Sequence, residues 1–229
     1  SVVYRADRCI GCGRCVAGCP AGALATSPQG VLTSPELCRR CNRCVDVCPA
    51  EARERISWKA SLSELIAAIR RDAPFYEQSR GGVTFSGGEP LCQPEFLIAA
   101  LERCGEFEIH RAVDTSGFAE SGTLLDVARH TDLFLYDLKL IDPARHREHT
   151  GVDNAPILSN LRMLSESGAA VTIRIPLIPG VNDDAESVAS LGEFIAGLPR
   201  RHPVDLLPFH RAASAKYAKL GLGYRGEHL

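Results

Sequence analysis

The stretch DLFLYDLKL, residues 132–140, is the most informative part of the chain for the fold. Its apolar residues follow one another with little alternation, which is typical of a parallel strand that is covered on both faces. Stretches with apolar residues at helical spacing flank it, TLLDVARH (123–130) before it and ILSNLRMLSESG (157–168) after it. The stretch therefore predicts a buried strand between two helices.

The same alternation extends outward along the chain. Further strand-like stretches are GGVTFSGG (81–88), IHRAVDTSG (109–117), AVTIRIPLIPG (170–180) and VDLLPFH (204–210). Further helical stretches are LSELIAAIRRDA (62–73), which Ser61 or Ser63 could cap, QPEFLIAALERC (93–104) and ESVASLGEFIAGL (186–198). Five strands that alternate with helices predict an α/β fold built on a parallel sheet or barrel.

Polar and ionisable residues stand where the predicted strands end. They are Ser86–Glu89, Asp114–Ser116, Asp137–Lys139, Arg174 and His210. Active sites of α/β barrels are built at this end of the sheet. Each residue taken alone could belong to an ordinary capped loop, but five groups on one rim favour a site.

The composition excludes several classes of function. Of the 229 residues, 45% are hydrophobic and 24% are charged, as in ordinary globular proteins, and the formal net charge is −2. This balance is not that of a general nucleic-acid or membrane-surface binder. No apolar run is long enough to span a bilayer. We therefore expect a soluble, cytoplasmic protein without nucleic-acid or membrane partners.

Eight of the ten cysteines fall in two runs, CIGCGRCVAGCP (9–20) and CRRCNRCVDVCP (38–49). Each run has the C-x2-C-x2-C-x3-C-P spacing of two-cluster bacterial ferredoxins, in which the fourth cysteine ligates the other cluster. The predicted ligand sets of the two [4Fe–4S] clusters are Cys9, Cys12, Cys15 and Cys48, and Cys38, Cys41, Cys44 and Cys19. The alternative is a pair of four-cysteine zinc sites. Cys92 and Cys104 lack ligand spacing and are expected to be ordinary buried cysteines.

The composition and the apolar periodicity of the chain change after this region. Residues 1–55 are rich in Cys, Pro and Gly, and the periodic pattern starts at Ile56. We therefore expect a ferredoxin-like two-cluster domain over residues 1–55 and an α/β barrel domain over residues 56–229.

Five motifs follow one another in the second part of the chain. They are GGVTFSGGEPLCQPEF (81–96), VDTSGF (113–118), LFLYDLKLIDPARHREHTGVDN (133–154), RIPLIPGVND (174–183) and LLPFHRAASAKYAKLG (206–221). FSGGEP alone could be a strand-to-helix turn. Together the motifs resemble, over essentially the whole chain, the activating enzymes of glycyl-radical enzymes, a radical S-adenosylmethionine (SAM) family that includes the pyruvate formate-lyase activating enzyme. The cysteine runs resemble the ferredoxin insert in one branch of that family.

The resemblance implies roles for several residues at the strand ends. Gly87, Gly88 and Glu89 match the segment that receives the ammonium group of SAM. Lys139 and His210 match positions that contact the bound cofactor. Lys139 could instead pair with a neighbouring carboxylate, and a lone histidine such as His210 is more often structural.

The resemblance also implies a cation site and a peptide contact. Asp114 and Thr115, with Asp137, resemble a monovalent-cation site beside the SAM carboxylate, although Asp114 could merely close a turn. Arg174 matches a position near the substrate peptide.

One element of the family is absent from these residues. The family's C-x3-C-x2-C motif holds a third [4Fe–4S] cluster that chelates SAM, and no three of the ten cysteines have that spacing. The chain has no initiator Met, and it shows five predicted strands where the family's barrel has six. The resemblance thus leads us to expect a fragment without the N-terminal segment and first barrel strand, possessing no catalytic cysteines of its own. The YRGEHL end is expected to be trimmed as well.

Three functional hypotheses remain open. In the first, the parent protein cleaves SAM reductively to a 5′-deoxyadenosyl radical and abstracts hydrogen from the glycine loop of a glycyl-radical enzyme. A low-potential donor such as flavodoxin or ferredoxin would supply the electrons. In the second, the chain is an iron–sulfur electron-transfer module. In the third, it is a radical SAM enzyme that acts on a small molecule.

Overall fold

The described residues fall into two compact units, one made of residues up to Lys59 and the other spanning Ala60–Phe209. The structure is a computed structural model that describes residues 2–28, 30–55 and 59–209. Among these, none of the helices combines the length and the apolar character that a membrane span needs.

The first unit is a twofold repeat of small elements. Two antiparallel pairs, β1 with β4 and β2 with β3, accompany two short helices. The elements are β1 (Val2–Tyr4), α1 (Arg14–Ala17), β2 (Leu24–Ser27), β3 (Gly30–Thr33), α2 (Arg43–Asp46) and β4 (Arg53–Arg55), with a 3₁₀ turn at Ala6–Arg8. Tyr4 lies opposite Arg53 in the first pair, and Leu24 lies opposite Thr33 in the second.

The backbone of the two cysteine runs repeats as closely as their spacing. Left-handed residues in the first run are Gly11, Gly13 and Gly22, at φ of 60° to 70°. At the corresponding places, the second run has Arg40, Asn42 and Glu51, at φ of 50° to 64°. Side chains are disfavoured in this conformation. The second run therefore adopts the same turns at a conformational cost that glycine avoids in the first.

The second unit is a parallel five-stranded sheet whose strands are flanked by helices. Its strands are β5 (Gly82–Phe85), β6 (His110–Thr115), β7 (Leu133–Asp137), β8 (Val171–Leu177) and β9 (Val204–Pro208). Its helices are α3 (Leu62–Arg70), α4 (Ala73–Ser79), α5 (Pro94–Glu106), α6 (Ser121–Ala128), α7 (Pro143–Thr150), α8 (Ala155–Ser167) and α9 (Ala185–Ala196), with a 3₁₀ turn at Pro90–Cys92. The strands are ordered as in the chain. This confirms the predicted α/β class, and β5 is an edge strand of the described sheet.

The core of this unit lies between the middle strands and α5, α6 and α8. Its fully buried side chains include Leu101, Leu124, Phe134, Tyr136, Leu161 and Ile173. The prediction that β7 is covered on both faces is only half right. Phe134 and Tyr136 are buried, whereas Leu133 and Leu135 on the other face are half-buried.

Local sequence sets the ends of the helices. Ser61 caps α3 by accepting a hydrogen bond from the Glu64 amide at 3.3 Å, and the Glu64 carboxylate accepts one from the Ser61 amide at 2.7 Å. Gly168, at φ of 82°, ends α8 in the left-handed conformation. Of the two isolated cysteines, Cys104 is fully buried in the second unit, and burial raises the pKa of its thiol. Cys92 is exposed, so its predicted burial is wrong; it ends a surface 3₁₀ turn.

An ion pair joins the start of β6 to the start of β7. Asp132 accepts hydrogen bonds from the Arg111 amide and Nε at 2.8 Å each, and from Nη2 at 2.7 Å. Hydrogen bonding to the Arg111 guanidinium lowers the pKa of Asp132 below its ordinary value of 3.8. The pair therefore stabilises the fold above that ordinary value, and its contribution is lost as the pH falls through the lowered pKa.

We expect Asp132→Asn to lower the free energy of unfolding by about 1–2 kcal/mol at pH 7, and by progressively less as the pH falls below 3.8. Urea unfolding followed by circular dichroism over that range measures the effect. Asp126→Asn is the matched control, because Asp126 pairs with Arg129 on an exposed helix surface, where such pairs contribute about 0.5 kcal/mol or less. A pH-independent loss in Asp132→Asn would contradict the assignment.

Candidate functional site

The loop after β5 carries Gly87 and Gly88 in left-handed conformations, at φ of 84° and 69°. A side chain would meet no other atom at either position, so glycine is required by the backbone conformation rather than by lack of space. The next residue, Glu89, caps the 3₁₀ turn by accepting a hydrogen bond from the Leu91 amide at 3.2 Å. The loop is thus an open, main-chain surface at the carboxyl end of the sheet.

Glu89 fastens this loop to the end of β6. Its Oε1 accepts hydrogen bonds from Thr115 Oγ1 at 2.6 Å and from the Leu91 amide, and its Oε2 accepts from the Ser116 amide at 3.0 Å and Ser116 Oγ at 2.7 Å. These four donors use the usual acceptor capacity of a carboxylate. A ligand ammonium would therefore meet the main-chain carbonyls of the loop first, with Glu89 holding the loop in place.

Four charged side chains meet at the ends of β6, β7 and β8. The Arg174 guanidinium bridges Asp114 Oδ2 at 3.3 Å and Asp137 Oδ1 at 3.2 Å, and Lys139 Nζ lies 3.1 Å from Asp137 Oδ2. The Ser86 hydroxyl also donates to Asp114, at 3.0 Å. Two carboxylates and two cations make a charge-balanced cluster. It could bind a ligand that carries both an ammonium and a carboxylate, because each half of the ligand would find a counter-charge.

The structure thus brings together most of the rim residues singled out by the sequence. Lys139 pairs with a neighbouring carboxylate, which was the alternative to a cofactor contact. Thr115 is buried and donates its hydroxyl to Glu89, while Arg174 neutralises Asp114 and Asp137. A monovalent cation bound by Asp114, Thr115 and Asp137 would require the Arg174 guanidinium to move away from at least one of the two carboxylates. His210 lies outside the described residues.

Three buried asparagines fasten the loops that follow the strands. Asn160 donates to the Gly117 and Ala119 carbonyls, Asn154 to those of Leu140 and Ile141, and Asn182 to those of Lys139 and Pro176, all at 2.7–3.0 Å. The sequence does not mark them as site residues, although Asn154 and Asn182 stand in two of the five motifs. Asn154 and Asn182 lie in loops, where asparagine usually indicates a turn, whereas Asn160 lies in α8. Only the fold shows that these three side chains are buried and rigidify the rim.

In the first unit, four cysteines surround one cavity. Its lining includes Cys9, Cys12, Cys15 and Cys48, together with Tyr4 and Arg53. These are the four residues that the crossed ferredoxin pattern assigns to one cluster. The described residues contain no group of three His, Cys, Asp or Glu side chains placed as ligands of a single metal ion. The four thiols frame a space, as the ligands of a four-iron cube must.

Main-chain amides point at the sulfur atoms in both halves of the repeat. The Ala23 amide donates to Cys19 Sγ at 3.4 Å, and the Ala52 amide donates to Cys48 Sγ at 3.2 Å. Hydrogen bonds from the Ala23, Ala21 and Gly22 amides lower the pKa of Cys19. The Tyr4 hydroxyl and the Gly11 amide lower that of Cys9. Thiolate is the form that binds iron, so these residues fit iron–sulfur ligation.

Models of two protein families match the chain. A model of the radical SAM superfamily matches residues 36–191, and a model of the 4Fe-4S dicluster domain matches residues 8–52.

Two relatives match almost the whole chain. The choline trimethylamine-lyase activating enzyme of Oleidesulfovibrio alaskensis is 42% identical over 97% of the chain and 74% of its own length. The trans-4-hydroxy-L-proline dehydratase activating enzyme of Clostridioides difficile is 43% identical over 100% of the chain and 76% of its own length. The chain therefore spans about three quarters of these relatives.

Solved structures agree with the fold. A domain of a pyruvate-formate lyase-activating enzyme from Bacteroides vulgatus is 50% identical, with a TM-score of 0.54 over 57% of this chain and 82% of that chain. Streptococcus suis SuiB bound to its precursor peptide SuiA has a TM-score of 0.57 over 75% of this chain and 37% of that chain, at 17% identity, which supports the fold alone.

Proposed function

Because the chain belongs to the radical SAM superfamily, among the activating enzymes of glycyl-radical enzymes, we propose that it takes part in abstracting a hydrogen atom from a glycine of a partner enzyme. Bound SAM would supply the chemistry, since its one-electron cleavage to methionine would provide a 5′-deoxyadenosyl radical as the acceptor of the hydrogen atom. The identity to two such activating enzymes over almost the whole chain carries this proposal. The relatives serve different glycyl-radical enzymes, so the proposal names the class of partner.

The rim residues would bind and orient SAM. Gly87 and Gly88 would offer main-chain carbonyls to its ammonium, and Glu89 would hold that loop against Thr115 and Ser116. The charged cluster of Asp114, Asp137, Lys139 and Arg174 would receive the rest of the cofactor, with or without a monovalent cation. His210 is proposed as a further contact, on the resemblance alone.

The first unit would hold the two auxiliary clusters. We assign one to Cys9, Cys12, Cys15 and Cys48, and the other to Cys38, Cys41, Cys44 and Cys19, within a domain of residues 1–55 that precedes the barrel domain of residues 56–229. Clusters of this type can be strong reductants, with potentials near about −400 mV in plant-type ferredoxins. A low-potential protein such as flavodoxin or ferredoxin is the class of donor that could supply their electrons.

A second candidate function is electron transfer alone. It is favoured by one observation: both cysteine runs have the C-x2-C-x2-C-x3-C-P spacing of two-cluster bacterial ferredoxins. The two candidates differ in one product, because an electron-transfer module forms no 5′-deoxyadenosine from SAM.

The test uses protein expressed from its full reading frame, loaded anaerobically with iron and sulfide, and given reductant and SAM. We expect 5′-deoxyadenosine to form. Glu89→Gln should slow the formation of 5′-deoxyadenosine about a hundredfold. The amide nitrogen of glutamine would face hydrogen-bond donors that now bond the Glu89 carboxylate, so the loop would shift. A small misplacement of a bound substrate can slow a reaction by this factor. Glu106→Gln, on the exposed surface of α5, is the matched control and should leave the rate unchanged.

The outcomes separate the proposals. Absence of 5′-deoxyadenosine from fully loaded protein would exclude the activating-enzyme function and leave electron transfer. Formation of the product at equal rates in the Glu89→Gln and parent proteins would contradict the role of Glu89 while the function stands.

A further inference from the structure

One pair of facing residues beside the cysteine runs differs in charge between the two halves of the first unit. Tyr4 and Thr33 are equivalent, because each stands five residues before the first cysteine of a run. Leu24 and Arg53 are equivalent, because each stands five residues after the last cysteine of a run. The facing pairs are Tyr4 with Arg53 and Leu24 with Thr33. A repeat that is otherwise conserved in spacing and backbone therefore carries an aromatic ring and a cation on one side only.

Arg53 is a buried cation without a carboxylate partner. Its exposed fraction is 3%. Its Nη1 donates to Thr33 Oγ1 at 2.9 Å and its Nη2 donates to the Val31 carbonyl at 3.1 Å, and its guanidinium stacks on the Tyr4 ring, 4.7 Å from the centroid. No aspartate or glutamate among the described residues forms a salt bridge with it. Burying a charge in this way is costly unless something else compensates it.

The missing counter-charge is explained by what lies next to Arg53. Arg53 and Tyr4 both line the cavity of Cys9, Cys12, Cys15 and Cys48. Arg53 Nε is buried and has no hydrogen-bond partner among the described residues. The Tyr4 hydroxyl and the Arg53 guanidinium thus place two donors and a positive charge beside the space where four cysteine side chains meet. An anionic iron–sulfur cluster would supply the acceptors and the negative charge that the protein lacks.

We propose that Arg53, with Tyr4, tunes the cluster held by Cys9, Cys12, Cys15 and Cys48 to the higher reduction potential of the two. The inference rests on the proposed pair of clusters but not on the reaction with SAM. Each one-electron reduction adds a negative charge to a cluster, and a fixed cation in a poorly screened environment favours the reduced form. The residues at the equivalent positions, Leu24 and Thr33, are uncharged.

A further observation agrees with this asymmetry. The arginines of the second run, Arg39, Arg40 and Arg43, are exposed. Water and salt screen exposed charges far more than buried ones. The charge of Arg53 should therefore influence the reduction potential of a nearby cluster more than the charge of any one of these exposed arginines.

A redox titration of the iron-loaded protein, followed by electron paramagnetic resonance, tests the inference. The parent should show two reduction steps. Arg53→Leu introduces the residue that the first half has at the equivalent position, Leu24. At a fixed potential, it should lower the ratio of reduced to oxidised cluster in the upper step about tenfold. This corresponds to a decrease of about 59 mV in the reduction potential of that step. Tyr4→Phe should lower the same step by a smaller amount, and Arg53→Lys should largely preserve it.

Arg55→Leu is the matched control. It removes the same charge from the same strand, but Arg55 is exposed and pairs with Asp46 at 3.5 Å, so both steps should stay within about twofold of the parent. Equal shifts for Arg53→Leu and Arg55→Leu, or a shift confined to the lower step, would overturn the inference. If Arg53→Leu fails to bind iron, the Tyr4→Phe variant provides the test. An unchanged potential of the upper step in Tyr4→Phe would then reject the proposal. A parent protein without about eight irons would reject the proposed clusters and this inference together.

Discussion

Replacing Cys48 by serine is expected to halve the iron content of the protein, from about eight to about four atoms per chain. The reason is the cavity that Cys48 shares with Cys9, Cys12 and Cys15. A cluster that loses one of its four thiolates should lose occupancy, whereas the second cluster keeps all of its own. Iron and sulfide analysis of anaerobically prepared protein measures the effect. Cys92→Ser, at an exposed cysteine outside both runs, should leave the iron content unchanged.

Double substitutions reveal which cysteines serve the same cluster. With crossed ligation, Cys9→Ser combined with Cys48→Ser damages one cluster and should retain about four irons. Cys9→Ser combined with Cys19→Ser damages both and should retain almost none. If each run held its own cluster, these two results would be exchanged, and the assignment of Cys48 and Cys19 would be wrong.

Replacing Gly117 by alanine should destabilise the second unit by about 2–5 kcal/mol. Gly117 has φ of 71°, and an added Cβ would overlap the Tyr136 hydroxyl. Tyr136 is fully buried and donates that hydroxyl to the Ile157 carbonyl at 2.7 Å, so the ring has little room to move. The substitution therefore combines backbone strain with overpacking. Urea unfolding followed by circular dichroism measures it.

Gly122→Ala is the matched control for this substitution. Gly122 lies in α6, and an added Cβ would meet no atom within 4 Å. Alanine should therefore stabilise the helix, by about 0.5–1 kcal/mol. A loss of stability in Gly122→Ala as large as in Gly117→Ala would show that the contact with Tyr136 is not the cause.

The sheet could be predicted from the sequence because its strands and helices differ in apolar period. The strand around Phe134 lies between two amphipathic helices, and the structure has the five described strands in chain order. The helices α4 and α7 were not predicted. The residues of α7, PARHREHT, have almost no apolar pattern. That helix is held instead by the Asp142 cap, the buried His146 and the bonds of Arg145 to the Val181 carbonyl and Asp184.

The candidate site could be predicted as a set of positions but not as a set of contacts. Strand ends indicate where Asp114, Asp137 and Arg174 lie, because parallel strands bring their carboxyl ends to one edge. Which carboxylate pairs with which cation depends on strand register and on side-chain rotamers. The cysteine spacing similarly indicates the ligands, whereas the buried position of Arg53 follows from its pairing with Tyr4 across two strands.

The order of the strands has a consequence for how the second unit is made. In the described part of the chain, the strands of this sheet pair only with their neighbours in chain order. Such a sheet can be extended one strand at a time as the ribosome releases the polypeptide, because no strand must wait for a distant partner. Each new strand covers the edge left by its predecessor. We expect nascent chains stalled after β7 or β8 to protect β6 from protease, with protection advancing toward the carboxyl terminus as synthesis continues.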